Sequence, residues 1–159
     1  MAWNADLAKG KKGEAIVAST LSNRGWNIIT SSYDKLTQDG DSDLIVEKGK
    51  IKREIEVKYD GRMHETGNIC LENLDTTSGK KGWWQTIQAD YLFFLCQKTH
   101  DMYAIRVADL KEYVAKYPPR KVYTYDSRWD GRHRFENFLV SLSALENRGC
   151  TVQKIKGVM

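Results

Sequence analysis

Asp43, Glu56 and Lys58 are the residues of this chain whose types and spacing could do chemistry together. They lie in the stretch Gly40-Asp-Ser-Asp43-Leu-Ile-Val-Glu-Lys-Gly-Lys-Ile-Lys-Arg-Glu-Ile-Glu56-Val-Lys58. Side chains two apart on a strand point the same way, so Glu56 and Lys58 share one face. A hairpin reversal would carry Asp43, at the start of the first arm, toward Glu56, near the end of the second. Two acids and an amine gathered in this way suit phosphodiester hydrolysis. Carboxylate oxygens bind Mg²⁺ while leaving it several waters, the metal screens phosphate charge, and an ammonium steadies an attacking water or the pentavalent oxygens.

Those side chains meet only if the chain between them folds as strands. Leu44–Glu47, a Lys48-Gly49-Lys50 reversal and Ile51–Tyr59 predict a β-hairpin. Its second arm alternates, with Ile51, Arg53, Ile55, Val57 and Tyr59 on one face and Lys52, Glu54, Glu56 and Lys58 on the other. Upstream, the pattern predicts a helix from Gly10 to Arg24, stopped at Gly25. Glu14 shares a helical stripe with Val17, Ala18 and Leu21, while Ile16 lies off it, so an acid is turned toward the core and needs a compensating partner.

The remainder predicts strands at Trp26–Ser31, Asn68–Glu72, Met102–Val107, Val122–Tyr125, Phe138–Ser141 and Val152–Ile155, with loops at 60–68 and 73–82. Helices are expected at Trp83–Asp90, at 110–117 capped by Asp109, and as a short turn at Ala144–Arg148. Tyr91–Gln97 is an unbroken apolar run, as in a central strand covered on both sides. The sum is an α/β chain of one domain over 1–159, a mixed sheet with helices on its faces.

The order Gly13-Glu14 on a first helix, Asp43 opening a strand and Glu56-x-Lys58 ending the next resembles the PD-(D/E)xK nuclease superfamily over roughly residues 10–97. The resemblance implies a restriction-endonuclease-like fold, a mixed central sheet flanked by helices, and a Mg²⁺-dependent DNA endonuclease in which Mn²⁺ substitutes. It further implies that Asp43 and Glu56, with the main-chain carbonyl of Val57, hold the metal. Lys58 would act on the attacking water, and Glu14 would tune or bind the ion. Ser42 stands where the family name has proline, and Asp41 is an alternative ligand. A looser likeness to phage-type members makes Glu72, Lys80, Gln85 and Gln88 candidates for site or substrate contacts.

Composition agrees with nucleic acid as partner without demanding it. The 159 residues carry a net charge of +4. Residues 1–80 hold 12 Lys and Arg against 13 acids, and residues 81–159 hold 13 against 8. Lys11, Lys12, Lys80 and Lys81 are the candidates for holding phosphates. Trp83-Trp84 and the loop Tyr125–Arg134 add aromatics and arginines that could stack on bases or grip a backbone.

No apolar run approaches the roughly 18 residues of a membrane span, and Met1–Asp6 lacks the layout of a signal peptide. A cytoplasmic protein with no membrane partner is therefore expected. Cys70, Cys96 and Cys150 are odd in number and lack CxxC spacing, so free thiols are expected. No zinc, P-loop, dinucleotide or nucleophile-elbow signature is present. Two alternatives stay open beside the nuclease: a module of the same fold that binds nucleic acid or protein without cleaving, and an unrelated α/β interaction protein. A homodimer also stays open, since symmetric two-strand cleavage would need one.

Overall fold

A computed structural model of the chain describes residues 2–31, 42–125 and 133–156. The chain is a mixed α/β protein built on a six-stranded sheet in the order β1-β2-β3-β5-β6-β9. These strands are β1 (Asn27–Ser31), β2 (Leu44–Lys48), β3 (Ile51–Asp60), β5 (Tyr91–Cys96), β6 (Met102–Arg106) and β9 (Val152–Ile155). β3 and β5 run parallel, and the other neighbours are antiparallel. The expected hairpin is present, with Lys48 opposite Ile51 and Leu44 opposite Ile55. β3 is the longer arm, so residues 56–60 run on past the start of β2.

One face of this sheet is covered by α1 (Ala2–Asn23), which begins eight residues before the expected start. The early glycine at position 10 does not break the helix. Val17 and Leu21 pack with Leu44, Val46, Ile55, Val57 and Phe93, and Glu14 is buried on the same stripe as expected. Gly13 sets the distance between helix and sheet: a Cβ there would lie 2.8 Å from the Tyr59 Cβ. Gly25, at φ +90°, ends the turn after the helix.

The other face is covered by a second sheet, a correction to the single sheet read from sequence. It contains β4 (Asn68–Asp75), β8 (Arg134–Ser141) and β7 (Arg120–Tyr125), in the order β4-β8-β7. β4 needs an apolar neighbour for Ile69 and Leu71, and it finds β8 across a separation that no local pattern reveals, Asn68 pairing with Ser141. Alternation along β5 serves both layers. Leu92, Phe94 and Cys96 join the core with Ile69 and Leu71, while Phe93 and Leu95 join the core under α1. That is why the run is apolar without a break.

Smaller helices close the layers. α2 (Met63–Thr66) occupies the expected loop, and α3 (Trp83–Thr86) stops four residues short of the expected end. α4 (Val107–Lys116) starts from Arg106, so Asp109 is inside its first turn and is not its cap. α5 (Leu142–Asn147) is capped by the Ser141 hydroxyl. No helix among the described residues is long and apolar enough to cross a membrane, and the three cysteines are free thiols.

Asp75 organises the loop that carries Lys80 and Lys81. Its Oδ1 accepts the N–H groups of Thr77 and Ser78 at 3.0 and 3.2 Å. Its Oδ2 accepts the Ser78 hydroxyl and lies 2.7 Å from His133 Nδ1. Burial alone would raise this carboxyl, but the bonds from Ser78 and His133, with the two amides, outweigh it and hold it at about 2.

Two outcomes follow from these contacts. Gly10→Ala, with nothing within 4 Å of its new methyl, is expected to stabilise α1 by up to about 1 kcal/mol in urea denaturation. Gly13→Ala gains the same helix preference yet pushes Tyr59, and the overpacking cost of about 1–3 kcal/mol makes it the less stable of the two. For Asp75, a folded value below the ordinary 3.8 means stability that is complete above that pH and lost as pH falls toward about 2. The melting-temperature gap between wild type and Asp75→Asn should therefore be full near neutrality and close across that acid window.

Candidate active site

The site forms where β3 outruns β2. Extending the register one step beyond Leu44–Ile55 sets Asp43 opposite Glu56, on the same face of the sheet. Asp43 Oδ2 accepts the Val57 N–H at 2.8 Å, so the side chain continues the ladder where the backbone of β2 has ended. A strand residue turns its N–H and C=O to the same edge, so the Val57 carbonyl faces the edge on which Asp43 stands.

Glu56 Oε1 lies 3.2 Å from Lys58 Nζ. That ammonium also sits 4.2 Å over the ring of Trp83, which α3 presents. Burial pushes the Glu56 carboxyl above its ordinary value; the Lys58 charge pulls it back down and the Asp43 charge pushes it up. Two carboxylates therefore act on each other here, with one lysine between the acid and the aromatic wall.

Glu56 opens into a cleft of about 140 Å³ whose walls are Ser42, Trp83 and the segment Thr86–Ala89. Trp83 is held there by a close backbone approach. A Cβ on Gly82 would lie 2.3 Å from the Glu72 carbonyl oxygen, so only glycine lets α3 dock on β4 at this distance. Trp84, the neighbouring aromatic, is buried in the core beneath.

The expected residues divide. Asp43, Glu56, Lys58 and the backbone of Val57 come together, and Gln88 lines the cleft. Glu14 does not line it: α1 packs on the Ile55, Val57 and Tyr59 face, whereas Glu56 and Lys58 project from the opposite face. Lys11, Lys12, Lys80 and Lys81 are exposed and lie outside the cleft wall. Gln85 gives its side-chain N–H to the Asn73 carbonyl at 2.7 Å, tying α3 to β4. Glu72 is on β4 and, with Asp60, helps burial raise the Cys70 thiol to about 11. Asp41 and the arginines at 128 and 132 lie outside the described residues. Trp83 is the member whose role the sequence did not fix, since a tryptophan beside a core tryptophan carries no local sign of which one faces the lysine.

Among the described residues, no group of three or more His, Cys, Asp and Glu side chains stands ready to hold a metal ion. What converges is two carboxylates and a main-chain carbonyl, all hard oxygen donors. Mg²⁺ is usually bound through one or two carboxylates and keeps several of its waters, so the residues present fit it.

A raised carboxyl value in the fold means that the ionised acid costs stability at neutral pH. Glu56→Gln should accordingly melt higher than wild type at neutral pH in EDTA, and the difference should vanish as pH falls below the ordinary 4.5. A variant that melts lower at neutral pH would show the Lys58 contact to outweigh the burial. Comparison with known proteins places no relative beside this arrangement: no protein-family model, no curated protein and no solved structure matches the chain.

Proposed function

We propose that the chain is a Mg²⁺-dependent nuclease of the PD-(D/E)xK type that hydrolyses phosphodiester bonds in DNA. The observation that carries the reading is the pairing of Asp43 with the Val57 N–H. It sets two carboxylates, a backbone carbonyl and a lysine at one strand end, in the order that the superfamily's motif requires. Asp43, Glu56 and the Val57 carbonyl would hold the ion. Bound there, it would supply charge neutralisation at the phosphate and a more acidic water.

The chain's own residues do the rest. Lys58 is a fixed cation, confined by Glu56 on one side and the Trp83 ring on the other, and it offers N–H donors to the oxygens that gain charge as water attacks phosphorus. Trp83 covers one side of the Lys58 ammonium and, with Ile87, lines the cleft into which Glu56 opens. Exposed Lys80 and Lys81, carried on the loop braced by Asp75, supply phosphate contacts beyond the cleft.

Plasmid nicking in Mg²⁺ against EDTA tests the reading. Cleavage should require the ion, and Glu56→Ala and Lys58→Ala should each reduce the rate at least about 100-fold, the scale on which single charge-stabilising groups act. Both should bind DNA in EDTA nearly as wild type does. Glu14→Ala, across the strand from the cleft, should cost less than either. Wild-type cutting by the Lys58 variant would remove Lys58 from the site. DNA binding without cleavage in any metal would leave a non-cleaving binding module as the function.

A further inference from the structure

A second, larger cleft of about 640 Å³ adjoins the one that holds Glu56. Ile87 and Ala89 line both, so a single short segment is the partition between them. Three cations come to this second cleft, one of them far in sequence from the other two. Arg53 stands on β3, Arg106 ends β6 opposite Tyr91, and Lys111 lies one turn into α4. Lys111 is held in position, with its Nζ donating to the Trp84 carbonyl and sitting 3.8 Å over the Trp84 ring. One carboxylate, Asp90, also lines the cleft, and its Oδ2 accepts the N–H of Glu54 at 2.8 Å. Positive charge therefore predominates, and the volume is that of a site for a ligand of nucleotide size, whereas the Glu56 cleft is far smaller.

We propose that this cleft binds a phosphodiester group of the nucleic-acid strand, next along the chain from the one that reaches Glu56 and Asp43, with Arg53, Arg106 and Lys111 as its contacts. The proposal rests on the nuclease reading for its first anchor. Phosphates recur about every 3.4 Å of axis along one strand, so a polymer seated at Glu56 brings a neighbouring phosphate to the adjoining cleft. Guanidinium groups fork onto phosphate oxygens in a paired geometry, and a fixed ammonium adds a point charge. The residues expected from sequence to hold phosphate, Lys11, Lys12, Lys80 and Lys81, take no part in this cleft.

The test reads binding alone, with the full chain, a fluorescein-labelled duplex and EDTA, by anisotropy across a range of KCl concentrations. The double Arg53→Gln, Arg106→Gln variant should flatten the dependence of log Kd on log salt by up to about 0.9, the value of one phosphate contact on duplex DNA, and each single variant should flatten it by less. Arg106→Lys should keep the wild-type slope, because the charge sets the ion count. Thermal melts of each variant verify that the fold is retained.

A double Arg53→Gln, Arg106→Gln variant with the wild-type slope overturns the proposal, as does a wild-type chain that binds no duplex. Displacement of the duplex by thymidine 5′-monophosphate at equal phosphate concentration also overturns it, in favour of a free-nucleotide pocket. Flattened slopes in a chain that cleaves nothing would remove the nuclease reading and keep the DNA contact. Unchanged slopes in a chain that cleaves would do the reverse.

Discussion

The hydrogen bond from the Val57 N–H to Asp43 Oδ2 is the constraint on which the site depends. β2 begins two residues after Ser42, the position that would face Val57, so its backbone does not pair with Val57, and an unpaired amide at this depth is costly. A carboxylate supplied by Asp43 satisfies it and at the same time anchors that acid across from Glu56. Like charges placed opposite one another on neighbouring strands repel. The arrangement persists because Asp43 is bonded to the amide and Glu56 to Lys58, so each acid has its own partner.

The same pair explains why the cleft needs two layers of fold. Lys58 keeps its place through Trp83, and Trp83 reaches it only because Gly82 lets α3 sit against the backbone of β4. β4 in turn belongs to the second sheet, whose Ile69 and Leu71 share a core with Leu92 and Phe94 of β5. The hairpin supplies the charged groups and the distant second sheet supplies their wall. The basic cleft has a similar origin, since α4 and the end of β6 bring Arg106 and Lys111 beside Arg53.

What could be read in the sequence were the features whose cause is local. The alternation of Ile51–Tyr59 fixed the hairpin and the shared face of Glu56 and Lys58, and the unbroken apolar run at 91–97 marked a central strand. The inward turn of Glu14 was likewise visible from its stripe, but which face of the sheet α1 would cover was not, and that choice separates Glu14 from the cleft. The second sheet escaped because Asn68 and Ser141 carry no mark of their pairing. Asp109 looked like a cap because a suitable residue stood before a helical pattern, yet Val107 and Leu110 both enter the core, and the helix begins early enough to bury them.

The parallel union of β3 with β5 has a consequence for the order of assembly. Its partners are separated by the whole segment 61–90, and β4 must wait for residues near 140 before it can pair. Closing such long loops is slow compared with zipping a hairpin, which takes about 1–10 μs. On a ribosome, the 44–60 hairpin can form long before its ceiling has been synthesised. Asp43, Glu56 and Lys58 thus come together early as a bare charged ribbon, and the tryptophan roof is braced by β8, and the cationic trough completed by Lys111, only with the last third of the polypeptide.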